Sequence, residues 1–365
     1  MQLRDKGLPT KILDCLEARP RDALFLYNAR YPTGPSTSYG QALDFIRGGG
    51  GDLRRIGVRR GEVVCYVTPL GASAVGALAF LAVGAQTTAA PLAPMTTEPD
   101  ARTALNQLHA KHLLLFEGVE CPGVVAAFKK HNRGRRVRGV CHTARIVDAV
   151  PGTFEFTSRQ DPDFASRPVL ANPEDGQCLL LRTSGTTARP KVVPLHQDAL
   201  VTNAAVVAAS LQLTPHDACY SVMPLFHIGG LSASVLCTLV SGGSLCCEKE
   251  PYDAGRMVEA LAASRPQPTW YSAVPTIHTA TVAFLRDHAR ADPRFAGYAI
   301  EGGGVWAKGH GLRLIRSGAA ALSPADAEAL SAAYGGVPVC PTYSMSEQVR
   351  RPPREGSLVL ASVPL

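Results

Sequence analysis

From about residue 39 onward the chain alternates short β-rich apolar runs with longer stretches of helical character. Residues 62–67 form a strand-length run rich in valine, and residues 71–84 are apolar all round and rich in Ala and Gly, as in a buried helix. Residues 87–92 read as a strand, 99–110 as a helix with Asp100 near its N-terminus, and 112–116 as a strand. This βαβαβ order implies a parallel sheet covered on both faces. The stretch 150–173, with several prolines, aspartates and serines, breaks the alternation. Beyond it the pattern resumes: 178–182 reads as a strand, 196–211 as a helix, 218–222 as a strand, 230–240 as a helix and 244–247 as a strand. Helices at 253–264 and 275–288 bracket a strand at 269–272, and Asp253 and Ser323 are placed to cap helix N-termini. The fold class expected is α/β, with two similar subdomains of mainly parallel sheet flanked by helices. Residues 1–165 are expected to form the first subdomain, 166–347 the second and 348–365 a divergent tail. The glycine-rich stretch 295–311 interrupts the second as an insertion.

The 365 residues are enough for a large core, but composition selects no chemistry. Ten cysteines carry no C-x-x-C pair, so they read as small core side chains in a reducing compartment. The longest apolar run, 71–85, is shorter than a membrane span. Arg4, Asp5 and Lys6 precede any apolar stretch, and the final Val363-Pro364-Leu365 differs from an S-K-L peroxisomal address. The expected location is therefore cytoplasmic. Much of the +7 formal charge is local: Lys129, Lys130, Arg133, Arg135, Arg136 and Arg138 lie within ten residues. No aromatic residues interleave with them, so the run reads as a solvated loop rather than a nucleic-acid site. A contact for an acidic partner or a nucleotide 3'-phosphate is the alternative.

The chemistry concentrates in T-S-G-T-T-A-R-P-K, residues 183–191. A glycine there lets backbone N–H groups approach an anion, the hydroxyls donate, and Lys191 adds a mobile positive charge. That is the composition of a polyphosphate cradle. A Walker loop would need G-x-x-x-x-G-K-[ST] opening a helix. Here Cys178–Arg182 reads as a strand before the loop, and Lys191-Val192-Val193 as a second strand after it.

Residues 183–191 resemble the phosphate-binding motif T-S-G-T-T-G-x-P-K-G of the acyl-adenylate-forming superfamily, which includes acyl-CoA ligases, luciferases and peptide-synthetase adenylation domains. Ala188 and Val192 stand where glycines are usual. Further similarities follow in the family's order: P-L-F-H-I-G-G at 224–230, W-Y-S-A-V-P-T-I-H at 270–278, L-R-L-I-R-S-G-A-A-A-L at 312–322 and Y-S-M-S-E at 343–347. The second and third of these are most similar to the oxalyl-CoA synthetase branch. The resemblance implies the N-terminal domain of the acyl-CoA ligase fold and a reaction in which a carboxylate attacks the α-phosphate of ATP. It implies that Thr183, Ser184, Gly185, Thr186, Thr187 and Lys191 hold phosphates. Tyr343 would stack on adenine beside a thin wall of Ser317, Gly318 and Ala319, with Ser346 at the α-phosphate. Glu347 would help hold Mg²⁺, and His227, Lys191 and Glu347 would serve catalysis. The acyl pocket would be lined by His227, Ser272, Val274, Pro275 and Thr276; Gly229 stands where the branch often has a second histidine.

In the family about another third of the protein follows the Y-x-M-x-E loop. It carries an aspartate that clamps ribose and a mobile domain whose lysine serves adenylation before CoA is brought in. Residues 348–365 contain neither Asp nor Lys. The expectation is an ATP-dependent, oxalate-CoA ligase-like activity, incomplete in this chain and lacking the mobile C-terminal domain. CoA would be a co-substrate if that domain is supplied, and the surface left without it would favour self-association. The alternative is a non-catalytic nucleotide-binding relative or a fragment of a larger ligase.

Overall fold

The structure, a computed structural model, describes residues 9–29, 34–132, 139–173, 175–183, 190–288 and 309–342. Most of the 295–311 insertion, all of the 348–365 tail and the arginines of 133–138 lie outside the described residues. The strands, in chain order, are β1 (Leu24–Asn28), β2 (Ser36–Ser38), β3 (Val63–Val67), β4 (Thr88–Pro91), β5 (His112–Phe116), β6 (Val140–Ile146) and β7 (Phe154–Phe156). They continue with β8 (Gln177–Thr183), β9 (Lys191–His196), β10 (Ala218–Tyr220), β11 (Ser244–Cys247), β12 (Trp270–Ala273), β13 (Leu314–Ser317) and β14 (Val339–Pro341). The helices are α1 (Ile12–Glu17), α2 (Tyr39–Arg47), α3 (Ala74–Gln86), α4 (Glu98–Gln107), α5 (Pro122–His131), α6 (Gln197–Ser210), α7 (Cys237–Ser241), α8 (Ala254–Ala263), α9 (Pro275–His288) and α10 (Pro324–Ala333). None of the described helices is long and apolar enough to cross a membrane.

Two mixed, mainly parallel sheets result. One has the order β14-β13-β12-β10-β11-β1-β2 and the other β7-β6-β5-β3-β4-β8-β9. The antiparallel pairs, β1/β2, β6/β7 and β8/β9, all lie at sheet ends. The sheets are not the two halves of the sequence. β1 and β2, from the start of the chain, extend the later sheet through a parallel β1/β11 pairing, and β8 and β9 extend the earlier one through β4. A cut at residue 165/166 therefore does not separate them. The reason lies in burial: Leu26 and Tyr27 point into opposite cores, so β1 needs helices on both sides, and the edge beside β11 supplies them.

Alternation along the strands sorts the apolar side chains into layers. Val64 and Tyr66 face a central core together with Trp270 and Leu314 of the other sheet, whereas Cys65 and Val67 face α4 and α5. Tyr220, Tyr271 and Ile315 face α8, α9 and α10. The central layer contains α3, whose thirteen residues are all buried. A helix with no polar face can only lie between two apolar surfaces. Ser73 caps its N-terminus by accepting from Gly76 N–H. Its C-terminal turn is fastened by Asn172, whose side-chain amide donates to the carbonyls of Gly84, Thr87 and Gln177 at 3.0, 2.8 and 3.1 Å. One buried amide thus aligns α3, the start of β4 and the start of β8. Asp253 and Ser323 cap α8 and α10 as the sequence suggested, accepting from Arg256 and Asp326 N–H.

Where β5 and β6 run side by side, His112 Nδ1 lies 3.0 Å from His142 Nε2, and His112 Nε2 lies 2.8 Å from Glu62 Oε2. Burial and the adjoining His112 bring the His142 pKa down to about 4. Burial lowers His112 as well, against the pull of Glu62. An unfolded histidine titrates near 6.5. Because the folded value is depressed, the stability from a neutral His142 is complete above about pH 6.5 and is lost as pH falls toward about 4. We predict that the free energy of urea unfolding drops between pH 7 and 4.5, and that His142→Gln reduces the drop by about 2 kcal/mol. An unchanged drop in the variant would assign it to other groups, of which His278, also at about 4, is the first to test.

Candidate functional site

β8 and β9 are antiparallel neighbours, with Thr183 opposite Lys191 at their open end. The hydroxyl-rich segment is therefore a strand–loop–strand connection, as its flanking residues indicated. It leaves the sheet edge at which β3, β4 and β5 also end, because β8 is parallel to β4. Ser184, Gly185, Thr186 and Thr187 lie outside the described residues. The hydroxyl of Thr183 is buried and has no hydrogen-bond partner among the described residues. Lys191 is exposed and ion-pairs with no acid among the described residues. Both strand ends are braced by Gln107 at the close of α4. Its carbonyl oxygen accepts from Arg182 Nε at 3.2 Å, and its amide donates to the Pro190 carbonyl at 3.3 Å. Arg182 also donates to the Asp100 carbonyl at 3.3 Å.

A second set of residues gathers where β10, β12, β13 and β14 end at one edge of the other sheet. Gly318 N–H donates to the Ala273 carbonyl at 3.0 Å, and the Thr342 backbone N–H and hydroxyl both donate to the Ser317 carbonyl, at 2.8 and 2.9 Å. A Cβ at Gly318 would lie 3.1 Å from Thr342 Oγ1 and 3.2 Å from Arg316 Nη1. The space there suits a residue without a side chain. Ala319 holds a left-handed φ of 68°, a strained choice for a residue with a Cβ. Ser317 is buried and its hydroxyl is unpartnered. Ser272 is buried against Arg316, Val274 and Pro275 are half-buried, and Thr276 is exposed on the first turn of α9. Tyr343, Ser346 and Glu347, which would follow Thr342, lie outside the described residues.

His227 sits between β10 and a wide π-helical stretch, Gly229–Leu236, that runs into α7. The sequence suggested one ordinary helix over 230–240. The extra residue per turn, common near functional sites, is instead accommodated over two glycines and small residues. A Cβ on Gly230 would meet the Pro224 carbonyl oxygen at 2.5 Å, so the chain doubles back on Pro224 only because glycine is there. The His227 ring is open to solvent beside Phe226, at a centroid distance of 4.7 Å, yet surrounding bulk still lowers its pKa below the ordinary value. It is a neutral imidazole at pH 7.

The structure thus gathers Ser272, Val274, Pro275, Thr276, Ser317, Gly318 and Ala319 around the ends of neighbouring parallel strands, while His227 contacts Pro224, Phe226 and Leu231 of its own segment. It places Thr183 and Lys191 at the end of the other sheet. No hydrogen bond or ion pair among the described residues joins the two groups. Gln107 and Arg316 escaped the sequence reading. The first has no motif; the second was visible as a cation at an inward position of L-R-L-I-R-S.

With this geometry in hand, comparison with known proteins is direct. The AMP-binding enzyme family matches residues 15–349, and the chain belongs to that family. It is 32% identical to an oxalate–CoA ligase of Arabidopsis thaliana over 297 residues, covering 80% of this chain and 52% of that protein. It is 34% identical to a sulfoacetate–CoA ligase of Cupriavidus necator over 204 residues, covering 56% of this chain and 34% of that one. The fold is that of ATP-bound MatB from Rhodopseudomonas palustris, with a TM-score of 0.69 at 21% identity over 93% of this chain and 61% of MatB. The chain spans about half the length of the curated relatives it matches.

The two glycines after His227 give a contrast that tests the bend. Gly230→Ala should lower the unfolding free energy by about 2 kcal/mol, since backbone must shift to admit the methyl group. Gly229→Ala meets only the flexible end of Met223 at 3.4 Å and should be neutral or gain up to about 1 kcal/mol from helix propensity. Urea midpoints of the two variants decide; equal losses would place the constraint elsewhere.

Proposed function

We propose that this chain binds ATP and a carboxylic acid and joins them as an acyl-adenylate, releasing pyrophosphate. CoA would be the acceptor of the acyl group. The observation that carries this reading is the end of β8, where an orphaned Thr183 hydroxyl stands opposite Lys191 at the mouth of a Ser/Thr-rich connection. A buried donor without a partner costs about 1–3 kcal/mol, and a phosphate oxygen would satisfy it. The residues present fit a nucleotide in a second respect: the buried Ser317 hydroxyl, next to Gly318 at the strand end, has no partner among the described residues and can pair with a polar edge of a ligand.

The reaction brings two anions together, so donors and positive charge have to surround the phosphates. In our reading Thr183, Ser184, Gly185, Thr186, Thr187 and Lys191 do this, Tyr343 and Ser346 complete the nucleotide site, and Glu347 supplies the carboxylate for Mg²⁺. Magnesium, when bound, would offset phosphate charge. His227, neutral at pH 7 and at the rim, can donate to a carboxylate oxygen without a net charge of its own. Family likeness to oxalate–CoA ligases supports a short acid, with oxalate first. The unpaired cysteines, most of them buried, fit a reducing, cytoplasmic setting.

The experiment is acid-dependent ATP–pyrophosphate exchange by the purified chain, with oxalate in a panel of short, fatty and aromatic acids. Exchange should require one acid and fall about 100-fold or more in Lys191→Ala and Glu347→Ala. Saturable ATP binding with no exchange for any acid would favour the non-catalytic nucleotide-binding reading instead.

A further inference from the structure

Arg316 is a buried cation that pairs with no acid among the described residues. Only 5% of it is exposed. Nη1 donates to Ser272 Oγ at 2.9 Å, while Nε is buried and donates to nothing. Two other arginines, Arg54 and Arg313, are held by acids. Arg54, about equally buried, grips Asp52 through Nε and Nη2 and donates to the Arg167 carbonyl. Arg313, three residues before Arg316, bonds both oxygens of Asp217 at 2.6 and 2.8 Å. Among the described residues no carboxylate ion-pairs with Arg316. A guanidinium stays charged even where burial lowers its pKa, and a lone buried charge costs several kcal/mol. A cost of that kind in a fold that otherwise pairs its buried arginine calls for a counter-ion that arrives from outside.

The groups around Arg316 form a buried polar row that runs across neighbouring strands. Arg316 and Ser272 are register partners on β13 and β12, and both face the central layer, as Leu314 and Trp270 do two residues earlier. One step past the end of the neighbouring β10, on the face of Cys219, lies Ser221, whose buried hydroxyl has no partner. Among the described residues, the ionisable groups that act on the guanidinium are Cys237 of α7 and Cys340 of β14. Burial pushes the Cys237 thiol up to about 12 and raises Cys340 as well, so neither supplies a negative charge at pH 7. Arg316 lies one residue inside the Ser317–Gly318–Ala319 rim, a strand step of about 3.3 Å.

We propose that Arg316, with Ser272 and Ser221, is a buried anion subsite that receives the distal acidic group of a short dianionic acid. That group is a second carboxylate or a sulfonate, whose other end reaches the rim where activation takes place. The proposal rests on the carboxylate-activating reading above and names the residue that selects its substrate class. The single strand step between Arg316 and the rim sets the length: the two acidic groups are separated by no more than a few atoms. Long-chain and aromatic monoacids would leave the guanidinium buried and unpaired, and are rejected for that reason.

The test is ligand-induced stabilisation and titration calorimetry of the purified chain with oxalate, malonate, sulfoacetate, acetate and propionate, and separately with ATP. Wild type, Arg316→Met and Arg316→Lys are compared. Dianions should raise the wild-type Tm saturably, and acetate and propionate should bind at least tenfold more weakly. Arg316→Met should lose about 10- to 100-fold in dianion affinity, keep ATP binding, and in the absence of acid melt no lower than wild type, because it removes an unpaired buried charge. Arg316→Lys should retain part of the dianion preference. Equal binding of acetate and oxalate by the wild type would overturn the proposal without any variant. So would dianion affinity unchanged in Arg316→Met. Normal ATP binding alongside either result confines the failure to this subsite, whereas loss of both ATP and acid binding by the wild type brings down the carboxylate-activating reading as well.

Discussion

The burial of α3 on every side is the constraint from which the rest of the architecture follows. Its thirteen residues meet no solvent, and alanine and glycine dominate them, so two sheets can close on it from opposite directions. Gly76 sits where a Cβ would come within 3.0 Å of Leu225, in the segment just before His227, and Gly84 where one would come within 3.3 Å of the Cys178 carbonyl in β8. Larger residues at those places would push apart the elements that carry the two candidate half-sites. Full burial of so much apolar surface supplies the driving force, at about 25 cal/mol per Å². It also makes the helix's polar ends expensive, which is why Ser73 and Asn172 stand at its two termini.

From that layer outward the site is a matter of where strands stop. Parallel strands end together, so β10, β12, β13 and β14 deliver their following residues to one edge without any long-range instruction beyond sheet order. The phosphate-loop candidate uses a different device. β8 and β9 are antiparallel, and their open ends are braced from the side by Gln107, through Arg182 and Pro190. In the function proposed above, the hydroxyls and lysine of residues 183–191 take the part that a Walker spacing takes elsewhere.

How much could be read in the chain depends on whether the deciding interaction is local. Residues 112–116, 244–247 and 275–288 form their elements with the bounds read from periodicity, because apolar runs between clear breakers decide them within a few residues. The cap residues Asp253 and Ser323 were equally legible, since a cap needs only the next three residues. Sheet membership was not: nothing near β1 announces that it pairs with β11, some two hundred residues on. The π-helical stretch was read as ordinary helix because its apolar pattern is the same over so short a span. In the candidate site, motif residues were found by resemblance, whereas Gln107 was invisible because its role arises from tertiary placement alone.

Arg316 shows why a local rule that fails is informative. An arginine at an inward strand position violates the pattern that Leu314 and Trp270 obey on the same face, and nothing in the packing repairs the violation. Residues kept against their own stability mark places where folding and binding ask for different side chains. Here folding would accept methionine, and the polar neighbours Ser272 and Ser221 would serve equally well as alanine if packing were all that mattered. That three adjacent strands each place a polar group in one buried row argues for a single occupant that pairs with all of them. A short dianion has the charge for the guanidinium, the acceptors for the hydroxyls and the length to present its other end at the rim.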